Sequence, residues 1–232
     1  MLDTYFAGRD VVRDLDVSEA WDAWPTADQC DMSLFEMTHM AETDVDVIVN
    51  LVNKNITFWL ELGSYHGGSA ITTAASLKRL GQTDASVICV DSFLGDPFSL
   101  WWAKPCVKNA IVTKAGVPNI LPQFVDRVRK SGHDDMILGW PATSLVVLRI
   151  MSTGADNGEF QRPEVIYLDS AHLAGEVLLE MEQAWRLLPK GGVLWGDDFG
   201  LDDVKQDVLK FTTLLENINF KFDFLCFVEQ NH

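Results

Sequence analysis

The sequence predicts an α/β fold: a Rossmann-like, doubly wound, mostly parallel sheet with an antiparallel C-terminal strand. Short apolar segments rich in β-branched and aromatic residues alternate with amphipathic helical stretches, and several of these segments end on glycine or aspartate. Strand–helix alternation is typical of a parallel sheet covered by helices on both faces. Ligands bind such sheets at the carboxyl ends of the strands, so the chemistry is expected there.

The predicted elements follow one another from about residue 46. The first strand lies in ITFWLELG (56–63), and the next helix has Ser69 as its expected N-cap and Gly81 as its end. A second strand lies in SVICVDSF (86–93). Two more, in EVIYLDS (164–170) and VLWGDD (193–198), enclose a helix whose apolar face is formed by Val177, Met181, Ala184, Trp185 and Leu188.

A helix and a strand are predicted at the C-terminal end. The helix is marked by apolar residues at helical spacing: Val204, Val208, Phe211 and Leu215. The final segment, FKFDFLCFVEQ, alternates with period two, which is typical of an antiparallel strand with one solvated face.

The length of 232 residues favours one domain. Residues 1–45 show weak periodicity and are expected to form a helical or irregular segment packed on the core, a candidate lid. Residues 46–232 form the main domain, with an insertion at about 95–137. The tryptophans of both regions are candidates either for a substrate pocket or for core packing: Trp21, Trp24, Trp101 and Trp102.

Composition excludes several classes of function. The net charge of −16 argues against a nucleic-acid partner and against an anionic membrane surface. No apolar run approaches the ~20 residues of a membrane span, and the N-terminus lacks the pattern of a signal peptide. The four cysteines contain no CxxC pair and fit a reducing compartment. A cytoplasmic protein acting on a small molecule is expected.

The end of the first strand carries a glycine-rich turn, ELGSYHGGSA (61–70). Gly63, Gly67 and Gly68 would let the backbone approach a ligand, beside the free N–H groups of a helix N-terminus. The spacing G-x-x-x-G-G differs from GxGxxG, which disfavours a dinucleotide pyrophosphate. Asp91, 28 residues after Gly63, could accept hydrogen bonds from ribose hydroxyls. A tight turn and a turn-forming aspartate are the structural alternatives.

Acidic residues end two further strands. Asp169 and the pair Asp197 and Asp198 should meet at one sheet edge, because neighbouring parallel strands lie ~4.8 Å apart. Carboxylates so close repel one another unless they are protonated or neutralised by a cation, and Mg²⁺ suits oxygen ligands. A helix cap at Asp169 and a solvated acidic loop at 197–203 are the alternatives.

His172, three residues after Asp169, is a candidate general base because neutral imidazole accepts a proton near pH 7. Asp169 is a competing base, and a surface histidine is the structural alternative.

These segments together resemble the class I S-adenosylmethionine-dependent methyltransferases. The resemblance is carried by ELGSYHGGS, VDSF, YLDSAH and LLPKGGVLWGDDF, and it spans roughly residues 59–199. The last two segments resemble the macrocin and sugar O-methyltransferase branch, which also contains cephalosporin-hydroxylase-like proteins. That branch often reads D-G-D-H-S-Y where this chain has DSAHLA.

The resemblance implies a cofactor site and a metal site. The methionine part of S-adenosylmethionine would lie over Glu61 and Gly63, with Ser64 and Ser69 near its carboxylate. The adenosine would contact Asp91, Ser92 and Phe93, with Thr143 and Ser144 near adenine. The full implied cofactor set is Glu61, Gly63, Ser64, Gly67, Gly68, Ser69, Asp91, Ser92, Phe93, Thr143, Ser144 and Asp169. The implied metal ligands are Asp169, Asp197 and Asp198.

The function expected from these residues is metal-assisted O-methylation of a small-molecule hydroxyl. Three alternatives stay open: a cofactor-binding, hydroxylase-associated protein of the same fold, a nicotinamide-dependent oxidoreductase and a non-catalytic interaction module. A Tyr-x-x-x-Lys pair is absent, which disfavours the oxidoreductase. The oligomeric state stays open, with a homo-oligomer among the options.

Overall fold

A six-stranded sheet, parallel at every pairing, organises the chain. The structure is a computed structural model, which describes residues 11–22, 40–96, 105–111, 118–170, 172–217 and 225–227. Its strands are β1 (Phe58–Leu62), β2 (Ser86–Asp91), β3 (Ile137–Pro141), β4 (Val165–Leu168), β5 (Val193–Gly196) and β6 (Leu225–Phe227). Its described helices are α1 (Val11–Asp14), α2 (Glu42–Val52), α3 (Gly68–Arg79), α4 (Pro105–Ile111), α5 (Ile120–Ser131), α6 (Ser144–Asp156), α7 (Glu176–Leu187) and α8 (Asp202–Asn217).

The strand order is β3-β2-β1-β4-β5-β6, so the direction of winding reverses between β1 and β4. The two strands pair in register from Trp59 opposite Val165 to Leu62 opposite Leu168. In open α/β sheets this reversal creates a crevice at the carboxyl ends of the strands.

Apolar side chains fill both faces of the sheet, as the prediction of a doubly wound fold requires. One face buries Trp59, Cys89 and Tyr167 beneath α2, α3 and α5. The other buries Leu60, Ile88 and Leu194 beneath α6, α7 and α8. Residues one apart along a strand point to opposite faces, so continuous apolar runs such as FWLEL in β1 supply both cores.

The predicted antiparallel C-terminal strand is wrong, because β6 runs parallel to β5. Period-two alternation reports which face of a strand is buried and carries no information about its direction. The direction follows from the connection: α8 crosses between the two strands, and a helical crossover returns the chain parallel to the strand it left.

Other local predictions have mixed outcomes. The predicted apolar face of α8 is buried throughout. Ser69, however, does not cap α3: the N-cap is Gly67, with φ +78°, and Ser69 is the second residue of the helix. The interval 95–137, predicted to be an insertion, holds α4 and α5 among its described residues.

Asp207 links α8 to α7 on the sheet face that these helices cover. Its carboxylate is completely buried and accepts hydrogen bonds from the backbone N–H groups of Gly175 (2.5 Å) and Leu178 (3.3 Å). An acidic side chain at a helix N-terminus satisfies N–H groups that have no partner within the helix. Asp207 of α8 therefore caps α7 from the neighbouring helix.

Residues 11–22 lie against α5. Arg129 donates hydrogen bonds from Nε to the Val12 carbonyl (2.6 Å) and from Nη2 to the Leu15 carbonyl (2.9 Å). Trp21 Nε1 donates to the carboxylate of Asp126. Trp21 thus packs on the body of the protein, whereas Trp24, Trp101 and Trp102 lie outside the described residues.

The cysteines depart from the expectation. Cys89 is free and buried, and Cys106 is disulfide-bonded. Among the described residues, no helix has both the length and the apolar character needed to cross a membrane.

Candidate active site

Four strand ends build the site, those of β1 and β2 on one side of the reversal and those of β4 and β5 on the other. Backbone hydrogen bonds hold these ends together beyond the strands: Gly63 N donates to Val90 O (2.8 Å), Asp169 N to Leu62 O (2.8 Å) and Asp197 N to Leu168 O (3.1 Å). The predicted acids therefore emerge from one sheet edge.

The glycines of the turn after β1 pack closely against other parts of the protein. Gly63 has φ +90°, and a Cβ atom placed there would lie 2.0 Å from the Asp169 carbonyl oxygen and 2.5 Å from Ser170 Cα. At Gly67, with φ +78°, a Cβ would lie 2.9 Å from the Phe124 ring. Both positions exclude side chains because of internal packing. At Gly63 a close approach is made by the chain just after β4, at Asp169 and Ser170.

Glu61 is a buried acid near the end of β1. It has no exposed surface, and its Oε1 accepts a hydrogen bond from Ser69 Oγ (2.9 Å). Burial raises the pKa of its carboxyl to about 8. Neither Glu61 Oε2 nor the buried Ser64 Oγ has a hydrogen-bond partner among the described residues. Buried polar atoms are normally paired, and Ser64 lies close enough to Glu61 to lower its pKa, so the two groups can bond each other or a bound polar group such as the ammonium of a cofactor.

Asp91 is oriented by the backbone around it. Its two carboxylate oxygens accept hydrogen bonds from Tyr65 N (2.8 Å) and Phe93 N (2.7 Å), and burial raises its pKa. Both donor residues have positive φ, 41° and 54°. Strained backbone of this kind concentrates at functional sites. Each oxygen keeps a lone pair, so Asp91 can still accept from ribose hydroxyls.

Some predicted cofactor residues are engaged elsewhere. The ring of Phe93 is 2% exposed and packs against Phe124 at 5.1 Å between centroids, so it lies in the core. Ser92 Oγ accepts a hydrogen bond from Leu94 N (3.3 Å). Thr143 is the N-cap residue of α6, where its side chain makes no capping hydrogen bond. Ser144 Oγ donates to Glu180 Oε1.

On the other side of the reversal, Asp169, His172 and Asp198 form a cluster. One ligand atom from each lies within 4.8 Å of the others. His172 Nε2 is 2.7 Å from Asp198 Oδ2 and 3.8 Å from Asp169 Oδ1, yet it makes no hydrogen bond of proper geometry. Two carboxylates and an imidazole nitrogen at these distances could hold a divalent cation. A small cavity of about 10 Å³ lies among them, which is about the space that one water molecule requires.

Asp197, a predicted metal ligand, is not in this cluster. It is 3% exposed, its Oδ1 accepts a hydrogen bond from Asp198 N (2.7 Å), and its Oδ2 lies 3.3 Å from the Tyr167 hydroxyl. The same hydroxyl lies 3.3 Å from Asp169 Oδ2. Asp197 therefore stands behind the cluster and contacts Asp169 through Tyr167.

His172 is cationic at neutral pH when no metal is present. Burial lowers the pKa of its imidazole, but the carboxylates of Asp169 and Asp198 outweigh burial and raise the pKa to about 10. A protonated imidazole cannot accept a substrate proton. A divalent cation bound by the two carboxylates would displace that proton, since metal binding favours deprotonated ligands. Asp96 completes the surroundings, its Oδ2 lying 3.9 Å from His172 Nδ1.

Sequence analysis missed two residues of the site. Tyr167 precedes Asp169 by two positions in a strand, and period two places both on one face, so the signal was present. Glu180 lies on α7 between the apolar positions 177, 181 and 184, where a buried acid is unusual. It is 4% exposed and lines the small cavity together with Asp169, His172 and Asp198.

A family model described as a methyltransferase domain matches residues 60–199, more than half of the chain. The chain belongs to this family. The matched segment contains both sides of the site, from Glu61 to Asp198. No curated protein shows significant sequence similarity to the chain.

Solved structures show the same fold as this methyltransferase. The O-methyltransferase TomG from Streptomyces achromogenes, involved in tomaymycin synthesis and solved in complex with SAM, aligns with a TM-score of 0.54 at 16% identity, over 93% of this chain and 84% of that one. An O-methyltransferase from Bacillus cereus, solved in complex with SAH, aligns with a TM-score of 0.53 at 15% identity, over 93% and 85%. The fold is thus that of the class I S-adenosylmethionine-dependent methyltransferases.

Proposed function

We propose that this methyltransferase transfers the methyl group of S-adenosylmethionine to a hydroxyl of a small molecule, assisted by a divalent cation. The observation that carries the proposal is the cluster of Asp169, His172 and Asp198, within 4.8 Å of one another at the strand reversal. The unpaired buried atoms of Glu61 and Ser64 at the end of β1 supply a second, independent polar site beside it.

The residues of β1 and β2 fit the cofactor. Its ammonium and sulfonium groups are cationic, and Glu61 and Asp91 supply negative charge at this end of the sheet. Binding of a cation would stabilise the ionised form of Glu61, whose pKa burial raises to about 8. TomG and the Bacillus cereus enzyme, which share the fold, were solved with SAM and SAH respectively.

The residues of β4 and β5 fit a divalent cation. Two carboxylates suit Mg²⁺ and Mn²⁺, and an imidazole nitrogen shifts the preference toward transition metals. We therefore place Mn²⁺ beside Mg²⁺ as a candidate, with Asp169, His172 and Asp198 as ligands. Tyr167 and Asp197 would orient the Asp169 carboxylate from behind.

The chain's own contribution to the reaction is positioning and proton removal. The methyl group moves from the sulfonium sulfur to the hydroxyl oxygen: the C–S bond breaks, the O–C bond forms, and the hydroxyl proton leaves. Asp169, His172 and Asp198 would hold the cation, which would lower the pKa of a hydroxyl bound to it. Asp169 is the candidate acceptor of the proton. Holding the reacting atoms in line accounts for the rest, since methyl transfer depends mainly on proximity and orientation.

The test is calorimetric titration with SAM and SAH, each with and without Mg²⁺ or Mn²⁺, followed by an acceptor screen with labelled cofactor. Asp198→Asn should abolish metal binding and metal-dependent turnover while the SAH affinity stays within about threefold. Asp202→Asn, at an exposed acid four residues further on, is the matched control and should behave as wild type. Metal binding by Asp198→Asn equal to that of the wild type would rule out the proposed metal site.

A further inference from the structure

A buried carboxylate links two of the loops around the site. Glu180, on α7, has its Oε1 bonded by the hydroxyl of Ser144 and its Oε2 by that of Ser170, the latter at 2.6 Å. It is 4% exposed. Ser144 begins α6, after the loop that follows β3, and Ser170 follows Asp169 in the loop after β4. One side chain thus ties the β3–α6 loop to the β4–α7 loop.

The free-energy cost of burying the Glu180 carboxylate indicates that this residue has a specific role. Burying a carboxylate is unfavourable unless hydrogen bonds compensate. A leucine would match the apolar positions Val177, Met181 and Ala184 around it on the buried face of α7. Both oxygens of Glu180 are used by the serines, so the carboxylate acts through them.

Ser170 is held from two sides. Its backbone lies against Gly63, where a Cβ atom would come within 2.5 Å of Ser170 Cα. Its hydroxyl is bonded by Glu180 on the other side. The residues before and two positions after it, Asp169 and His172, supply two of the three atoms of the cluster, and Glu180 forms part of the same cavity wall. The position of Ser170 therefore decides whether these atoms converge.

We propose that Glu180 is a positioning residue: through Ser170 it holds Asp169 and His172 in the geometry that binds the cation, and through Ser144 it couples this loop to the start of α6. The inference rests on the proposed function, since it assigns Glu180 to the same metal site. Groups that orient metal ligands typically change metal affinity 10–100-fold when they are removed.

The test measures Mn²⁺ affinity calorimetrically in the presence of SAH. Glu180→Leu should raise the Kd for Mn²⁺ by 10-fold or more while the metal-free SAH affinity stays within about threefold. Glu180→Gln keeps an oxygen that accepts a hydrogen bond and gains an N–H group that can donate one to a serine hydroxyl. Its Kd for Mn²⁺ should therefore stay within about threefold of the wild-type value. Glu176→Gln, an exposed glutamate one turn earlier on α7, is the control.

If Glu180 had only a structural role, its loss would lower the thermal stability. We expect instead that Glu180→Leu keeps or raises the Tm, because leucine removes a buried charge, and that it still binds Mn²⁺ weakly. Ser170→Ala should reproduce the weakened Mn²⁺ binding of Glu180→Leu, and it decides the question if Glu180→Leu does not fold.

Three outcomes would overturn the inference. If Ser170→Ala binds Mn²⁺ as tightly as wild type, Glu180 does not act through Ser170. If the Tm of Glu180→Leu falls and its Mn²⁺ affinity is unchanged, Glu180 is structural. If the wild type itself binds no divalent cation, the proposed metal site fails together with this inference. The first two outcomes, in contrast, overturn only the role of Glu180.

Discussion

Gly63→Ala should be among the most damaging single substitutions in this protein. The added Cβ would lie 2.0 Å from the Asp169 carbonyl oxygen, whereas ordinary contacts begin at 3.4 Å, so the two chain segments must move about 1.4 Å apart. The atoms in the way are backbone, and Asp169 N is bonded to Leu62 O at 2.8 Å. The turn after β1 therefore cannot yield without opening the pairing of β1 with β4.

The magnitude follows from two costs. Placing a non-glycine residue in the left-handed region costs ~1–2 kcal/mol, and overpacking of a close-packed interior costs ~1–3 kcal/mol. We expect the free energy of unfolding to fall by ~2–5 kcal/mol, measured by urea denaturation followed by circular dichroism with the m-value held fixed.

The control isolates the steric cost. Gly191 also has positive φ, +77°, but nothing lies within 4 Å of a Cβ placed there. Gly191→Ala should therefore lose only ~1–2 kcal/mol. Equal losses for Gly63→Ala and Gly191→Ala would refute the argument that Gly63 is required by the approach of β4.

Three further predictions concern the fold around the site. Asp207→Ala should lower the free energy of unfolding by ~2 kcal/mol, because it removes the cap of α7; Glu159→Ala, at an exposed acid outside the helices, should change it by less than ~0.5 kcal/mol, and equal losses would exclude the capping role. Glu61 binds its proton more tightly in the folded state, where its pKa is about 8 instead of 4.5, so stability should fall as pH rises between these values, by up to ~1.4 kcal/mol per unit. Glu61→Gln should flatten this slope in denaturation curves measured across pH 4.5–8, and an unchanged slope would contradict the pKa. Arg129→Lys removes the two-pronged contact with residues 11–22 and should speed amide hydrogen exchange in this segment; Arg149→Lys on α6 should not, and identical exchange in both would disprove the anchoring.

The general position of the site could be predicted because the topology determines it. Strands that end on acids bring those acids to one edge whenever the strands are parallel neighbours, and β4 and β5 are paired in register from Val165 opposite Val193. Asp169 and Asp198 met this expectation. Asp197 lies at the same edge and lines the small cavity, but its Oδ1 accepts a hydrogen bond from Asp198 N and it stands outside the three-residue cluster.

Other features lacked a local signal. Strand β3 contains Gly139 and Pro141, which are both poor strand formers, so the sequence pattern did not predict a strand there. Glu180 acquires its role only through contacts with serines 36 and 10 residues away, which no local pattern reveals. The direction of β6 follows from the crossover that precedes it and could have been inferred from α8.

The strand order assigns the two halves of the proposed chemistry to different halves of the sheet. Residues for the cofactor follow β1 and β2, those for the cation follow β4 and β5, and the halves meet along the four registered pairs of β1 with β4. The halves are nevertheless fitted to each other, because Gly63 packs on Asp169 and Ser170, and Glu180 links Ser144 to Ser170. A chimera joined between β3 and β4 must therefore preserve these contacts if it is to exchange the cation half without disturbing the cofactor half.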